Sequence, residues 1–290
     1  MVDVFKHYYE RMKAFGQRHR SSIFYMAFLA FILGLIVTVK ALDIRLTDLT
    51  LLPLLAAIFL TQPLLVLFSS LEFKLCGAVT HVDIDLRDAI YVSSSASLAN
   101  ILPLPAGLLV RGGYLVDRGA KLGFAGKILF LAGLMWMTVA IAVSGAVITS
   151  LPGHLFIFIL GLGLTVGVMA IISKLGSLKL ALGFLIVRVF LVVILTVQLK
   201  LCFEIFSQFV TLRGSAVYVV SSLAGAVVSI VPAGLGLTEA FGSFLAKLDG
   251  ASAAMAYLVL SLNRVIGIFV TGVFFFLFAK LKPSCLTSQA

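Results

Sequence analysis

Pro105-Ala106-Gly107-Leu108 and Pro232-Ala233-Gly234-Leu235 are one tetrapeptide written twice, 127 residues apart, and each copy interrupts an apolar stretch. The agreement extends outward from both copies. Tyr91 pairs with Tyr218, Ser94-Ser95 with Ser221-Ser222, Ala99 with Ala226 and Gly123 with Gly250 at that offset. Upstream, Lys74-Leu75-Cys76 pairs with Lys200-Leu201-Cys202 and Leu86-Arg87 with Leu212-Arg213, at an offset of 126. One single-residue gap therefore aligns about half the chain with the other half. A duplicated apolar chain whose copies are each broken by Pro and Gly is the pattern of a transporter built from internal repeats.

Composition sets the medium. Of 290 residues, 61% are hydrophobic and 12% charged, and the mean hydropathy is +1.18. Soluble domains do not carry that balance, and no stretch is polar enough for a separate aqueous domain. The reading is an all-α integral membrane protein: a basic cytoplasmic N-terminus at 1–20, one polytopic membrane domain at 21–281 and a cytoplasmic tail at 282–290. Within it, repeat 1 covers about 51–150 and repeat 2 about 178–281. The net charge of +10 is assigned to topology rather than nucleic acid, because no basic stripe interleaved with aromatics lies outside the spans. The apolar run after Arg20 is longer than a signal-peptide core and is read as a retained first span. Cys76, Cys202 and Cys285 lack metal-ligand spacing, so neither a disulfide framework nor a metal site is expected.

Runs long enough to cross a hydrocarbon core of about 30 Å lie near 21–40, 51–75, 124–150, 154–174, 178–200 and 251–279. Segments 88–118 and 215–247 differ. Each holds two short arms around its Pro-Ala-Gly-Leu break, which suits a re-entrant hairpin better than a pair of full spans. Six spans plus two hairpins place fifteen Lys and Arg on one side and five on the other, with Arg188 and Arg264 inside spans. That asymmetry puts both termini in the cytoplasm. Ten spans are the competing count. Three crossings separate the starts of the two copies, so the copies are inverted and their hairpin tips approach each other from opposite faces. Inversion also keeps Cys76 and Cys202 on opposite faces.

The breaks are the candidate site. Non-helical backbone at membrane depth needs protein or a water-filled cavity around it. Pro105 and Pro232 suit the first position of an arm, Gly107 and Gly234 allow close approach, and the first turn of each arm offers unpaired N–H groups to an anion. Arg111 follows Gly107 by one turn, and Glu239 follows Gly234 by five residues. Arg264 and Arg188 lie within spans, where a charge costs about 3 kcal/mol or more and faces a partner or a cavity. Glu239 and Arg264 are read either as a packing salt bridge or as a pair that opens for an anionic group. Arg111 is read either as a snorkelling arginine or as an anion ligand. Asn100, with Ser94, Ser95, Ser221 and Ser222, would line a polar path or pack helices. Glu72 is read as interfacial, beside Lys74. No catalytic motif is present: no His-Glu-x-x-His, no Gly-x-Ser-x-Gly, no phosphate loop and no intramembrane carboxylate pair. No enzyme activity and no cofactor are therefore expected.

At these residues the chain resembles the flippase-like membrane domain of lysylphosphatidylglycerol synthases, over nearly its whole length. Pro232-Ala233-Gly234-Leu235-Gly236, then Glu239, Gly250 and Arg264, resemble that family's Pro-x-Gly-x-Gly-x-x-Glu and later Arg. Pro105, Gly107 and Arg111 resemble its Pro-x-x-Gly-x-x-x-Arg type pattern. Leu108 departs from it where relatives carry an acidic residue, and Met137 stands at the first-copy counterpart of Arg264. No aminoacyl-transferase domain is expected. The resemblance implies translocation of a lipid with an anionic headgroup, in a bacterial inner membrane, without the synthetic step. The alternatives are transport of a small soluble anion, or a non-transporting partner of a lipid- or glycan-synthesis enzyme; homo-oligomers are compatible with all three.

Overall fold

Every described residue that belongs to a regular element is helical, and no strand occurs among the described residues. The computed structural model describes residues 29, 31–42, 49–100, 106–149, 153–221, 236–248 and 251–280. Pro105, Pro232 and Gly234 lie outside them.

Helix α1 is Phe31–Leu42, the described part of the first apolar run. Five helices are long and apolar enough to cross a membrane: α2 (Leu51–Val79), α5 (Leu122–Val147), α6 (His154–Leu175), α7 (Leu178–Ile205) and α10 (Ala253–Lys280). They fall on the five remaining runs read from the sequence. The broken segments give α3 (Leu86–Ala99) and α4 (Ala106–Asp117) in the first copy, and α8 (Leu212–Val219) and α9 (Leu237–Leu248) in the second. These arms have 14, 12, 8 and 12 residues. At 1.5 Å per residue none exceeds about 21 Å, short of a hydrocarbon core.

The helix ends follow local chemistry. Ser177 and Thr211 cap α7 and α8, their hydroxyls accepting from the Leu180 and Gly214 amides at 3.2 and 3.1 Å; each satisfies one orphan donor of a first turn. Inside α2, Ala57–Thr61 is a π-helical turn. Pro63 follows it, has no N–H to give, and crowds the carbonyl four residues before it, so the helix widens there instead of breaking. Gln62 emerges at that point. Between α5 and α6, a Cβ on Gly145 would run into the Phe158 backbone and one on Gly161 into the Ala142 backbone. Small residues let these two helices meet backbone to backbone, where lipid supplies no hydrophobic drive.

The arms of the first copy return to the same end. Asp88, in the first turn of α3, accepts from the Tyr114 hydroxyl at 2.6 Å and from Arg118 at 3.0 Å, both at the far end of α4. At the other end Asn100 reaches Gly107. Helices α3 and α4 are thus antiparallel neighbours. In the second copy Val217 clusters with Leu245 and Ser221 lies beside Gly242, the same antiparallel sense for α8 and α9.

Helices α2 and α7 cross at the centre and run antiparallel, with the Thr50 amide bonded to the Ile205 carbonyl at 2.9 Å. Around them the neighbours come in matched sets. Helix α2 packs on α3 as α7 packs on α8, and α4 on α5 as α9 on α10. Helix α3 of the first copy packs on α10 of the second, while α8 packs on α5. Exchanging the copies maps each of these pairs onto its counterpart. Helix α6 joins the two sets by packing on α5 and α7.

Candidate functional site

The sequence directs attention to helix N-termini, and both described N-termini are already occupied by side chains. The Gly107 amide donates to Asn100 Oδ1 at 2.9 Å, and a Cβ at Gly107 would press on the same side chain. The Gly236 amide donates to Glu239 Oε2 at 2.9 Å. Glu239 is the third residue of α9, so this is the back-bonding half of a capping box. Gly236 itself has φ +79°, a left-handed conformation that favours glycine. One amide near the described start of each arm is thus paired internally, while the turn from Pro232 to Leu235 lies outside the described residues.

Side chains supply the cationic groups instead. Glu72, in the C-terminal third of α2, is 1% exposed and forms an ion pair with Arg188 of α7. Arg188 also donates to the Ala132 carbonyl at 2.9 Å and lies 5.4 Å from the Trp136 ring centroid. Glu72 therefore pairs with Arg188 rather than standing beside Lys74, and Lys74 alone faces outward. Glu72 and Lys74 are two residues apart, and positions so spaced on a helix point in different directions. Arg111 donates to Ser69 Oγ at 2.9 Å and lies 5.8 Å from the Phe73 ring centroid. Its Nε is buried without a partner, and no carboxylate pairs with it among the described residues. Arg111, Arg188, Glu72, Ser69 and Asn100 line one cavity of about 330 Å³, with Leu108 forming an apolar wall. Two guanidiniums face it against one carboxylate.

Arg264 lines a different cavity, of about 300 Å³, with Gln62 and Asn263. Its Nε donates to Glu239 Oε1 at 2.7 Å. Glu239 is fully buried, so it holds Arg264 from behind. The pair foreseen from sequence is formed. Arg111 and Arg264, however, do not share a cavity; the two cavities meet at Ser97, which lines both. Ser95 bonds to the Tyr91 carbonyl within α3, Ser221, just beyond α8, bonds to the Tyr218 carbonyl, and Ser94 is buried; Ser97 is the serine that lines both cavities. Helices α2, α3, α4, α5 and α7 all contribute groups to the first cavity.

Gln62, Gln198 and Asn263 were not singled out by sequence reading. Gln198 is fully buried, and its Nε2 donates to Gln62 Oε1 at 2.7 Å and to Asn263 Oδ1 at 2.8 Å. The repeat could have found them. An offset of 126 carries Glu72 to Gln198 and Gln62 to Arg188. Each cross-pair between α2 and α7 is the counterpart of the other, one ionic and one an amide pair. Ten residues separate them on either helix, or about 15 Å.

Comparisons with family models, with curated proteins and with solved structures found no match.

Proposed function

We propose that the protein is a lipid translocase, flippase-like, that moves an anionic phospholipid or related lipid-linked headgroup across a cell membrane. The cavity beside the Glu72–Arg188 pair carries this reading: two arginines against one carboxylate, at the depth of spanning helices, beside the exposed apolar Leu108. A charge there costs several kcal/mol unless a counter-charge arrives. An anionic headgroup supplies that charge, and its acyl chains stay in contact with the apolar wall. The short arms α3–α4 and α8–α9 are the re-entrant hairpins, entering from opposite faces.

Inversion of the two copies is supported by the cross-pairs. A two-fold axis in the membrane plane that relates residue i of α2 to residue i+126 of α7 turns the contact 72–188 into 62–198, and both contacts are present. The matched helix neighbours support the same axis. Alternating access then amounts to rocking of two like halves about the α2–α7 crossing. Both termini are cytoplasmic in this arrangement, and the resemblance to the lysylphosphatidylglycerol synthase membrane domain agrees with it. Glu239 and Gly236 serve by fixing Arg264; Arg111, Arg188 and Asn100 face the headgroup.

Proteoliposomes carrying fluorescently tagged phosphatidylglycerol and exposed to membrane-impermeant dithionite test the proposal. Bleaching beyond the outer-leaflet half is expected with the wild-type protein. Arg111→Ala should slow it about tenfold or more, the scale of losing a charge-assisted contact. Equal bleaching in wild-type and protein-free vesicles overturns the proposal, and binding of inorganic phosphate without lipid movement transfers the site to a soluble anion.

A further inference from the structure

The second cavity has its own chemistry. Gln62, Asn263 and Arg264 line it, and Gln198 stands behind Gln62 and Asn263. Since both side-chain carbonyl oxygens accept from Gln198, the amide nitrogens Nε2 of Gln62 and Nδ2 of Asn263 remain to donate. The Gln62 Nε2 faces Gly267, where an added Cβ would stand 3.6 Å away, and Gly267 lines the same cavity. Gln198 Oε1 is itself buried and unpartnered. The charges are closed: Arg264 is held by Glu239, whose two oxygens are taken by Arg264 and the Gly236 amide.

Resting on the anion site proposed above, we infer that the cavity at Gln62, Asn263 and Arg264 is a second subsite of the same pathway. It takes an uncharged hydrogen-bonding group, such as the hydroxyls of a polyol, carried by the anion that Arg111 and Arg188 hold. It rejects an ammonium group. Ser97 lines both cavities, so one headgroup can reach from the first into the second. The repeat explains the division: where one half keeps Glu72 and Arg188, the other has Gln198 and Gln62. The ionic pair sits by the anion and the amide pair by the neutral part. A net excess of one positive charge in the first cavity matches a monoanionic phosphodiester. An ammonium on the far side of that phosphate would meet amide donors and Arg264, with no free carboxylate to receive it.

The test compares three dioleoyl lipids on the purified full chain by native mass spectrometry: phosphatidylglycerol, phosphatidylmethanol and phosphatidylethanolamine. The first two are phosphodiester monoanions that differ in hydroxyls, and the third places an ammonium in the second cavity. The wild type should prefer phosphatidylglycerol over phosphatidylmethanol about tenfold, the scale of one or two hydrogen bonds, and bind phosphatidylethanolamine weakest. Asn263→Leu and Gln62→Leu should erase that preference while phosphatidylmethanol binding stays. Equal wild-type binding of the two monoanions, or a preference that survives both variants, overturns the subsite and leaves the anion site standing. Absence of any monoanion binding above phosphatidylethanolamine overturns the anion site itself, and with it this inference. Displacement by water-soluble glycerophosphoglycerol retains the subsite and removes the lipid as its source.

Discussion

Replacing both members of the central ion pair, Glu72→Gln with Arg188→Gln, converts it into a copy of the amide pair the chain already holds at Gln62 and Gln198. Each single change strands a charge. The Glu72 and Arg188 side chains are 2% and 12% exposed, so the partner left behind cannot reach bulk water. Breaking a buried pair from one side costs about 3–5 kcal/mol. For Glu72→Gln the low end of that range applies, because Arg188 keeps the Ala132 carbonyl and the Trp136 face. The double variant leaves no charge at positions 72 and 188, and replacing a buried ion pair by neutral groups is commonly neutral or stabilising. Its stability should lie within about 1 kcal/mol of wild type, giving a coupling of at least about 5 kcal/mol in the cycle. Unfolding in mixed micelles with rising dodecyl sulfate reads this, followed by fluorescence of the single tryptophan, Trp136, which lies against Arg188. The double variant should still fold and yet lose anionic lipid binding, which separates packing from recognition. Additive losses, with the double variant as unstable as the sum of the singles, would refute the reasoning.

Three further outcomes are expected. Gly107→Val should destabilise the first hairpin by about 1–3 kcal/mol, measured by the same titration, since its Cβ would lie 2.6 Å from the Ala96 carbonyl oxygen. In a Cys285→Ser background, Cys76 and Cys202, both 0% exposed, should take up no water-soluble maleimide until the protein is unfolded; prompt labelling of either would contradict its burial. Cysteines placed at Asp83 and Lys121, both exposed, should be labelled from the same side of the membrane in oriented vesicles, whereas labelling from opposite sides would contradict the antiparallel return of α3 and α4.

Where the helices lie was legible because span length and hydropathy are local properties. A bilayer demands about 20 apolar residues per crossing, and the five long helices follow the runs near 51–75, 124–150, 154–174, 178–200 and 251–279. The short arms were legible because Pro and Gly together disfavour a helix interior at each Pro-Ala-Gly-Leu stretch. The Glu239–Arg264 pair was foreseen because few ionisable residues occur inside spans and each needs a partner. The partner of Glu72 was missed because its nearest charge in sequence is Lys74. Its actual partner is 116 residues away.

Sequence alone therefore determined the helical class, the long apolar helices, the duplication and the short list of buried charges. These follow from composition, period and offset. Only the tertiary structure decided that Glu72 meets Arg188 while Gln198 meets Gln62, that Asn100 and Glu239 cap the arms, and that Arg111 and Arg264 face separate cavities joined at Ser97. Those facts depend on the register in which α2 and α7 cross. Two antiparallel helices can slide past one another by a turn without changing the hydropathy of either, and only the packing of every neighbour together selects one register.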